Sequence, residues 1–274
     1  MTLQEQLIGF RDQKRAILAA NFYNYETLAG ILKAAAELEE PVVLQLSESS
    51  IRYMGLEIAV KLALAGLKQY QVKGWLHLDH GSSPEIAGKC LEAGFDSVMI
   101  DASEKPFEEN IKITKEVVEM ARLTGANVEA ELGYVAKLGQ SLNVKGFTSP
   151  GEAGEFIERT GVNALAVAIG SAHGFYLEEP RLDLDLLGLI RDATPVPLVL
   201  HGSSGIPDEM LREAIKKGIV KVNLATESKN AFMKELRKIL RDSEEIDLRK
   251  AFPPAIEAVK EIILHKIKLV SMKY

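Results

Sequence analysis

Trp75 to His80 reads WLHLDH and runs directly into GSSPE. Two histidines and an aspartate at the end of an apolar run can be a metal site, one side of a catalytic apparatus, or a strand end that is merely polar. The choice depends on what the rest of the chain builds around them.

Similar runs, rich in Val, Ile and Leu, recur on both sides. They are AILAAN from Ala16, VVLQLS from Val42, SVMIDA from Ser97, NVEAEL from Asn127, ALAVAIG from Ala164, PLVLHG from Pro197 and VKVNLA from Val220, which with WLHLDH makes eight. Between them lie segments such as ETLAGILKAAAELEE and DEMLREAIKKG, whose apolar residues repeat at three and four as in amphipathic helices. Near-continuous apolar strands alternating with helices indicate a parallel sheet covered by helices. Eight such units predict one α/β domain over residues 1–274, a (β/α)8 or TIM barrel. A doubly wound open sheet is the alternative. After DLRKAFPPA the chain ends in a further amphipathic helix, placed to cap the barrel or meet another subunit, and a homodimer or homotetramer is the expected assembly.

A barrel of this kind carries its active site where the strands' C-terminal ends meet the following loops. Asn21, Ser47, Asp79, His80, Asp101, Glu131, His173, His201 and Asn223 fall at or after those ends, whereas the strand starts are mostly apolar. The one long irregular stretch, Gly133 to Glu152, follows the fifth strand, as a lid or binding loop does.

Composition narrows the ligand. With 274 residues, 47% hydrophobic and 26% charged, the chain has the make-up of a globular protein with a sizeable core. A net charge of -6 and no basic stripe argue against nucleic acid, so the expected partner is a small molecule. Cys90 is the single cysteine and forms no internal disulfide, which suits a reducing cytoplasm. The opening MTLQEQLIGFRDQKR does not follow a basic start with an apolar core, and no later run reaches membrane length, so neither secretion nor membrane spanning is expected.

Four of the five histidines lie in or just after strands. His80, His173 and His201, at the ends of strands three, six and seven, can converge over the barrel mouth and hold zinc with a position left for a substrate oxygen, or some of them can be satisfied structural histidines. Alternation sets His77 and Asp79 on one side and His80 on the other until the turn redirects it. Gly202, Ser203 and Ser204 after strand seven, with Asn223 and Thr226 after strand eight, offer N–H and hydroxyl groups where such barrels commonly hold phosphate. Metal, carboxylate and anion cradle together suit chemistry on a phosphorylated carbonyl compound.

HLDHGSS, SVMIDAS, PFEEN, VEAELG, LAVAIGSAHG, PLVLHGSSGIPDE and KVNLATE, in that order over almost the whole chain, closely resemble the class II, zinc-dependent ketose-bisphosphate aldolases of the fructose- and tagatose-bisphosphate type. The resemblance implies a lyase that reversibly cleaves a phosphorylated ketose to dihydroxyacetone phosphate and an aldehyde, with Zn2+ or another divalent metal stabilising the enediolate. By motif match Asp79 is the acid/base at the aldehyde-forming hydroxyl and His80, His173 and His201 are the metal ligands, with Asp101 and Glu131 as acidic residues near the metal. Gly174, Gly202, Ser203, Ser204, Asn223, Ala225 and Thr226 match positions around dihydroxyacetone phosphate. Asn21 and Ser47 match polar residues lining the substrate site, and Lys229 and Arg249 match positions for the far phosphate.

The sequence also departs from that pattern. Family members usually follow the fifth-strand ELG with a glycine-rich acidic loop whose glutamate shuttles the C1 proton, but here no acidic residue occurs between Glu131 and Glu152. This leaves open an altered substrate or a non-catalytic sugar-phosphate-binding protein. Leu177 stands where the family often has lysine, and Ala225 within NLATE fits the tagatose-type pattern. A zinc hydrolase on the same barrel is the weaker rival, because strand one ends in AAN and not in His-x-His.

Overall fold

The computed structural model describes residues 1–135, 146–176 and 180–273. Each of the eight apolar runs forms a strand: β1 (Ile17–Asn21), β2 (Val42–Ser47), β3 (Gly74–Gly81), β4 (Ser97–Ile100), β5 (Asn127–Leu132), β6 (Ala164–Val167), β7 (Leu198–Leu200) and β8 (Ile219–Leu224). All are parallel and neighbour one another in chain order. The sheet closes where β8 pairs with β1, Val222 opposite Leu18. The open-sheet alternative is thereby excluded.

Burial explains the sequence pattern. One face of every strand packs on the helical layer and the other fills the barrel, so β1, β4, β5, β6, β7 and β8 are buried at every position. At the bottom, Leu3, Leu7 and Phe10 of the helix Leu3–Asp12 pack on Ile17, Ala19, Val43, Trp75 and Val220 and plug the barrel. Thr2 and Glu5 form a reciprocal capping box that starts this plug.

The last helix, Pro253–Ser271, runs along the barrel's flank against helices Tyr25–Leu38 and Thr226–Asp242 and does not cap an end. Gly30 permits this contact: a Cβ there would lie 2.7 Å from Val259 Cβ and 2.9 Å from the Ile256 carbonyl oxygen. Among the described residues no helix is long and apolar enough to cross a membrane.

Candidate active site

At the C-terminal rim, strand three does not end regularly. Its register with β4 shifts between Leu78 and Gly81, and His80 adopts φ 51°, the left-handed region that L-residues seldom occupy. That turn resolves the alternation problem. It swings the His80 ring towards His173 and His201, with ring centroids 4.8 and 4.7 Å away.

Ligand atoms of His80, His173, His201 and Glu131 all lie within 4.8 Å of one another. The outer nitrogens of two of these rings are fixed by carboxylates. His80 Nδ1 lies 2.7 Å from Asp101 Oδ2 and His201 Nε2 lies 2.8 Å from Glu129 Oε1. Carboxylates accept, so each of those nitrogens carries the proton, and His80 Nε2 and His201 Nδ1 meet at 2.9 Å on the inner side. Burial and the neighbouring rings push the His173 imidazole down to about 3, leaving it a neutral base. Glu131 Oε2, 4.0 Å from His201 Nδ1, is buried with no hydrogen-bond partner, and burial raises its carboxyl to about 8. Convergent imidazole nitrogens beside an orphaned carboxylate oxygen are a donor set that fits a divalent cation such as zinc.

Asp79 sits beside this cluster, its Oδ1 3.9 Å from His80 Nε2. Asn21 Nδ2 donates to Oδ2 at 2.7 Å and Asn223 Nδ2 to Oδ1 at 3.3 Å. Burial works to raise this carboxyl, but His80, His201 and the Asn21 amide outweigh it and hold it below the usual range. The result is an ionised carboxylate in a nearly closed site.

A small cavity adjoins the cluster, lined by Asn21, Asp79, the three histidines, Gly174, Gly202, Ser203, Ser204, Asn223, Ala225 and Thr226. Thr226 begins the helix Thr226–Asp242, so the positive end of that helix adjoins the cavity. Gly202 takes φ 68° and crowds the Ala172 carbonyl, leaving no room for a Cβ. Ser203 Oγ donates to the Asn223 carbonyl at 2.5 Å, which leaves its backbone N–H as the group that can meet an anion. On the other side of the cluster a wider cleft is lined by Ser82, Ser103, Lys105 and Tyr134 among others.

Not every expected residue joins the site. Ser47 pairs in register with Asp79, but its hydroxyl is engaged with Ser49, Ser50 and the N-terminus of the helix Glu48–Met54. Lys229 Nζ lies 5.4 Å from the centre of the Tyr23 ring at the rim. Arg249, its side chain 91% exposed, pairs with Asp247 and lines neither cavity. Asp101 holds His80 from outside the cluster, with its other oxygen bonded to Ser103. Glu152 opens the helix Pro150–Thr160, exposed and outside both cavities. Within the acid-free stretch, residues 136–145 lie outside the described residues, as does Leu177.

The chain matches the family model described as fructose-bisphosphate aldolase class-II over residues 1–273. It belongs to the class II fructose-bisphosphate aldolase family. It is 42% identical to the fructose-bisphosphate aldolase of Geobacillus stearothermophilus, over 98% of this chain and 96% of that one. A Staphylococcus aureus fructose-bisphosphate aldolase is 41% identical with the same coverage. The crystal structure of the YdjI aldolase from Escherichia coli superposes with a TM-score of 0.88 at 36% identity, covering 98% of this chain and 96% of that one. This aldolase-family chain is therefore an enzyme of the carbon–carbon lyase class.

Sequence reasoning missed Glu129, Lys221 and Tyr176. Glu129 and Lys221 lie two residues before Glu131 and Asn223 on β5 and β8, so strand alternation points each pair into the barrel. That signal was available in NVEAEL and VKVNL. Tyr176, whose hydroxyl accepts from Ala172 N and donates to the Gly202 carbonyl, both at 2.8 Å, ties the His173 loop to the His201 loop without any local motif.

Proposed function

We propose that this aldolase is metal-dependent and reversibly cleaves a ketose 1,6-bisphosphate, of the tagatose or fructose type, to dihydroxyacetone phosphate and an aldehyde. One observation carries the reading: the ionised Asp79, gripped by two amides, lies between a divalent-metal donor set and an anion cradle. His80, His173 and His201, with Glu131 close by, are the proposed holders of zinc. When bound, that ion supplies Lewis-acid stabilisation of the charge that develops as the carbon–carbon bond breaks.

The chain's own residues do the rest. Gly174, Gly202, Ser204 and Thr226 orient the substrate's phosphate through backbone N–H groups and hydroxyls. In cleavage Asp79 takes the proton of the C4 hydroxyl, and in condensation it returns it. Asn21 and Asn223 keep that carboxylate aimed and ionised until the proton arrives. Ala225 in NLATE supports the tagatose side of the alternatives, and the proposed compartment is the cytoplasm.

The absence of acidic residues between Glu131 and Glu152 favours a second reading, a homologue that binds a sugar phosphate without turning it over or acts on an altered substrate. A screen of the purified, zinc-loaded protein against phosphorylated ketoses, with release of dihydroxyacetone phosphate as the readout, separates the readings. Release from a ketose bisphosphate supports the first. Tight binding of the same compounds with no release in either direction supports the second.

A further inference from the structure

Directly beneath Asn223 in β8 lies Lys221, a lysine with 0% exposure inside the barrel. Removing an ammonium from water is strongly unfavourable. Such a group persists only where acceptors are arranged around it. Lys221 Nζ has three partners: Glu129 Oε2 at 2.8 Å, Asn223 Oδ1 at 2.9 Å and, more loosely, His77 Nε2 at 3.5 Å.

An ammonium has donors only, so every partner must turn an acceptor towards it. For Asn223 this settles which way the amide faces: Oδ1 is spent on the lysine, and Nδ2 is turned to Asp79 Oδ1 at 3.3 Å and, in the same direction, to His201 Nε2 at 3.1 Å, where the nearer and anionic Glu129 is the acceptor that decides the imidazole proton. For Glu129 it fixes Oε2, which leaves Oε1 to accept from His201 Nε2 at 2.8 Å. His201 then carries its proton on Nε2 and presents the Nδ1 lone pair towards His80 and Glu131. One buried cation thus sets the sense of the Asn223–Asp79 bond and anchors the carboxylate that sets the His201 proton.

We propose that Lys221 is a positioning residue of the active site, imposing the Asn223–Asp79 and Glu129–His201 orientations; the inference rests on the function proposed above. It is not a Schiff-base nucleophile, because its Nζ is wholly buried and committed to Glu129 and Asn223. The competing view is that Lys221 only balances the charge of Glu129 in the core. A pair with that role alone can be neutralised without consequence for the site.

The test is Lys221→Met in the full chain, with zinc affinity measured by chelator competition and the visible spectrum of the Co2+-substituted protein reporting ligand geometry. Zinc affinity is expected to fall about 10- to 100-fold, as when the outer partners of metal-binding histidines are removed, with a changed cobalt spectrum. Lys221→Met/Glu129→Gln, which leaves no unbalanced buried charge, provides the same readouts if the single variant does not fold. Its loss should be no greater than that of the worse single change, because both act through one chain of bonds. A metal-free readout is the nitrogen spectrum of 15N-histidine-labelled protein, in which His201 should be the Nε2–H tautomer and should lose that preference in the variant. Unchanged zinc affinity, cobalt spectrum and tautomer in whichever variant folds would overturn the proposal. An unaltered chain that binds zinc yet cleaves no ketose bisphosphate sinks the proposed function and leaves these readouts to judge Lys221 separately.

Discussion

Asp79 accepts from an amide on each oxygen, and this decides what it can do. A carboxylate so held is a base awaiting one proton. For the proposed reaction the loop after β5 offers no counterpart, since between Glu131 and Glu152 the chain carries no acidic residue and Glu152 lies outside both cavities. The enediolate left by cleavage must gain a proton at its C1-derived carbon before dihydroxyacetone phosphate leaves. The expected outcome is that exchange of the C1 hydrogen of dihydroxyacetone phosphate with deuterated solvent is slower than bond cleavage, and that Leu138→Glu or Gly139→Glu speeds it. Fast exchange that is indifferent to Glu152→Gln would mean that another base acts there.

Elements bring these residues together, and a charge far along the chain supports the anion cradle. Lys266 of the helix Pro253–Ser271 is buried and lies 3.2 Å from Glu227 Oε1, which also accepts the Gly205 N–H at 2.7 Å. Glu227 N in turn donates to Ser204 Oγ at 3.3 Å. The last helix therefore steadies the loop after β7. Lys266→Met should raise KM for a phosphorylated ketose several-fold while changing kcat little; equal loss in both, or none in either, would count against the link. This dependence is invisible in the sequence, because LHGSSG and the lysine are some sixty residues apart. The strands themselves were legible, since runs buried on both faces must be apolar throughout. So was the convergence of His80, His173 and His201, because an imidazole closing an apolar run stands out. Alternation within NVEAEL and VKVNL points Glu129 and Lys221 into the barrel, but not to each other, and their pairing is what makes each buried charge tolerable. Neither strand alone reveals its partner.

For the whole molecule, the cluster of ionisable groups makes stability depend on pH and metal. Burial lowers His77 and His173 to about 3, and lowers His201 as well, so in the metal-free chain stability grows as pH rises towards the ordinary histidine value of 6.5. Above it the sign reverses. Burial opposes protonation of His80, but Asp79 and Asp101 outweigh it and raise the group to about 9, while burial raises Glu131 to about 8. Raised groups stabilise most below their unfolded values, and that contribution is lost as pH climbs through the folded ones. The metal-free protein should therefore lose Tm between pH 6.5 and 9. Zinc should reverse the trend, because a metal displaces the His80 proton and binds more tightly as pH rises. Thermal unfolding across that range with and without zinc checks this, and a metal-free Tm that increases from pH 6.5 to 9 would contradict it.

The division of labour between Asp79 and the histidines is tested most directly by measuring zinc content and ketose-bisphosphate cleavage on the same preparations of Asp79→Ala, His80→Ala, His173→Ala and His201→Ala. Asp79→Ala should keep its zinc and lose cleavage by about 100- to 10,000-fold, the range for removal of a general acid/base. Each histidine variant should lose zinc sharply. Full zinc at normal affinity in all three histidine variants, or normal cleavage by zinc-restored Asp79→Ala, would contradict the account.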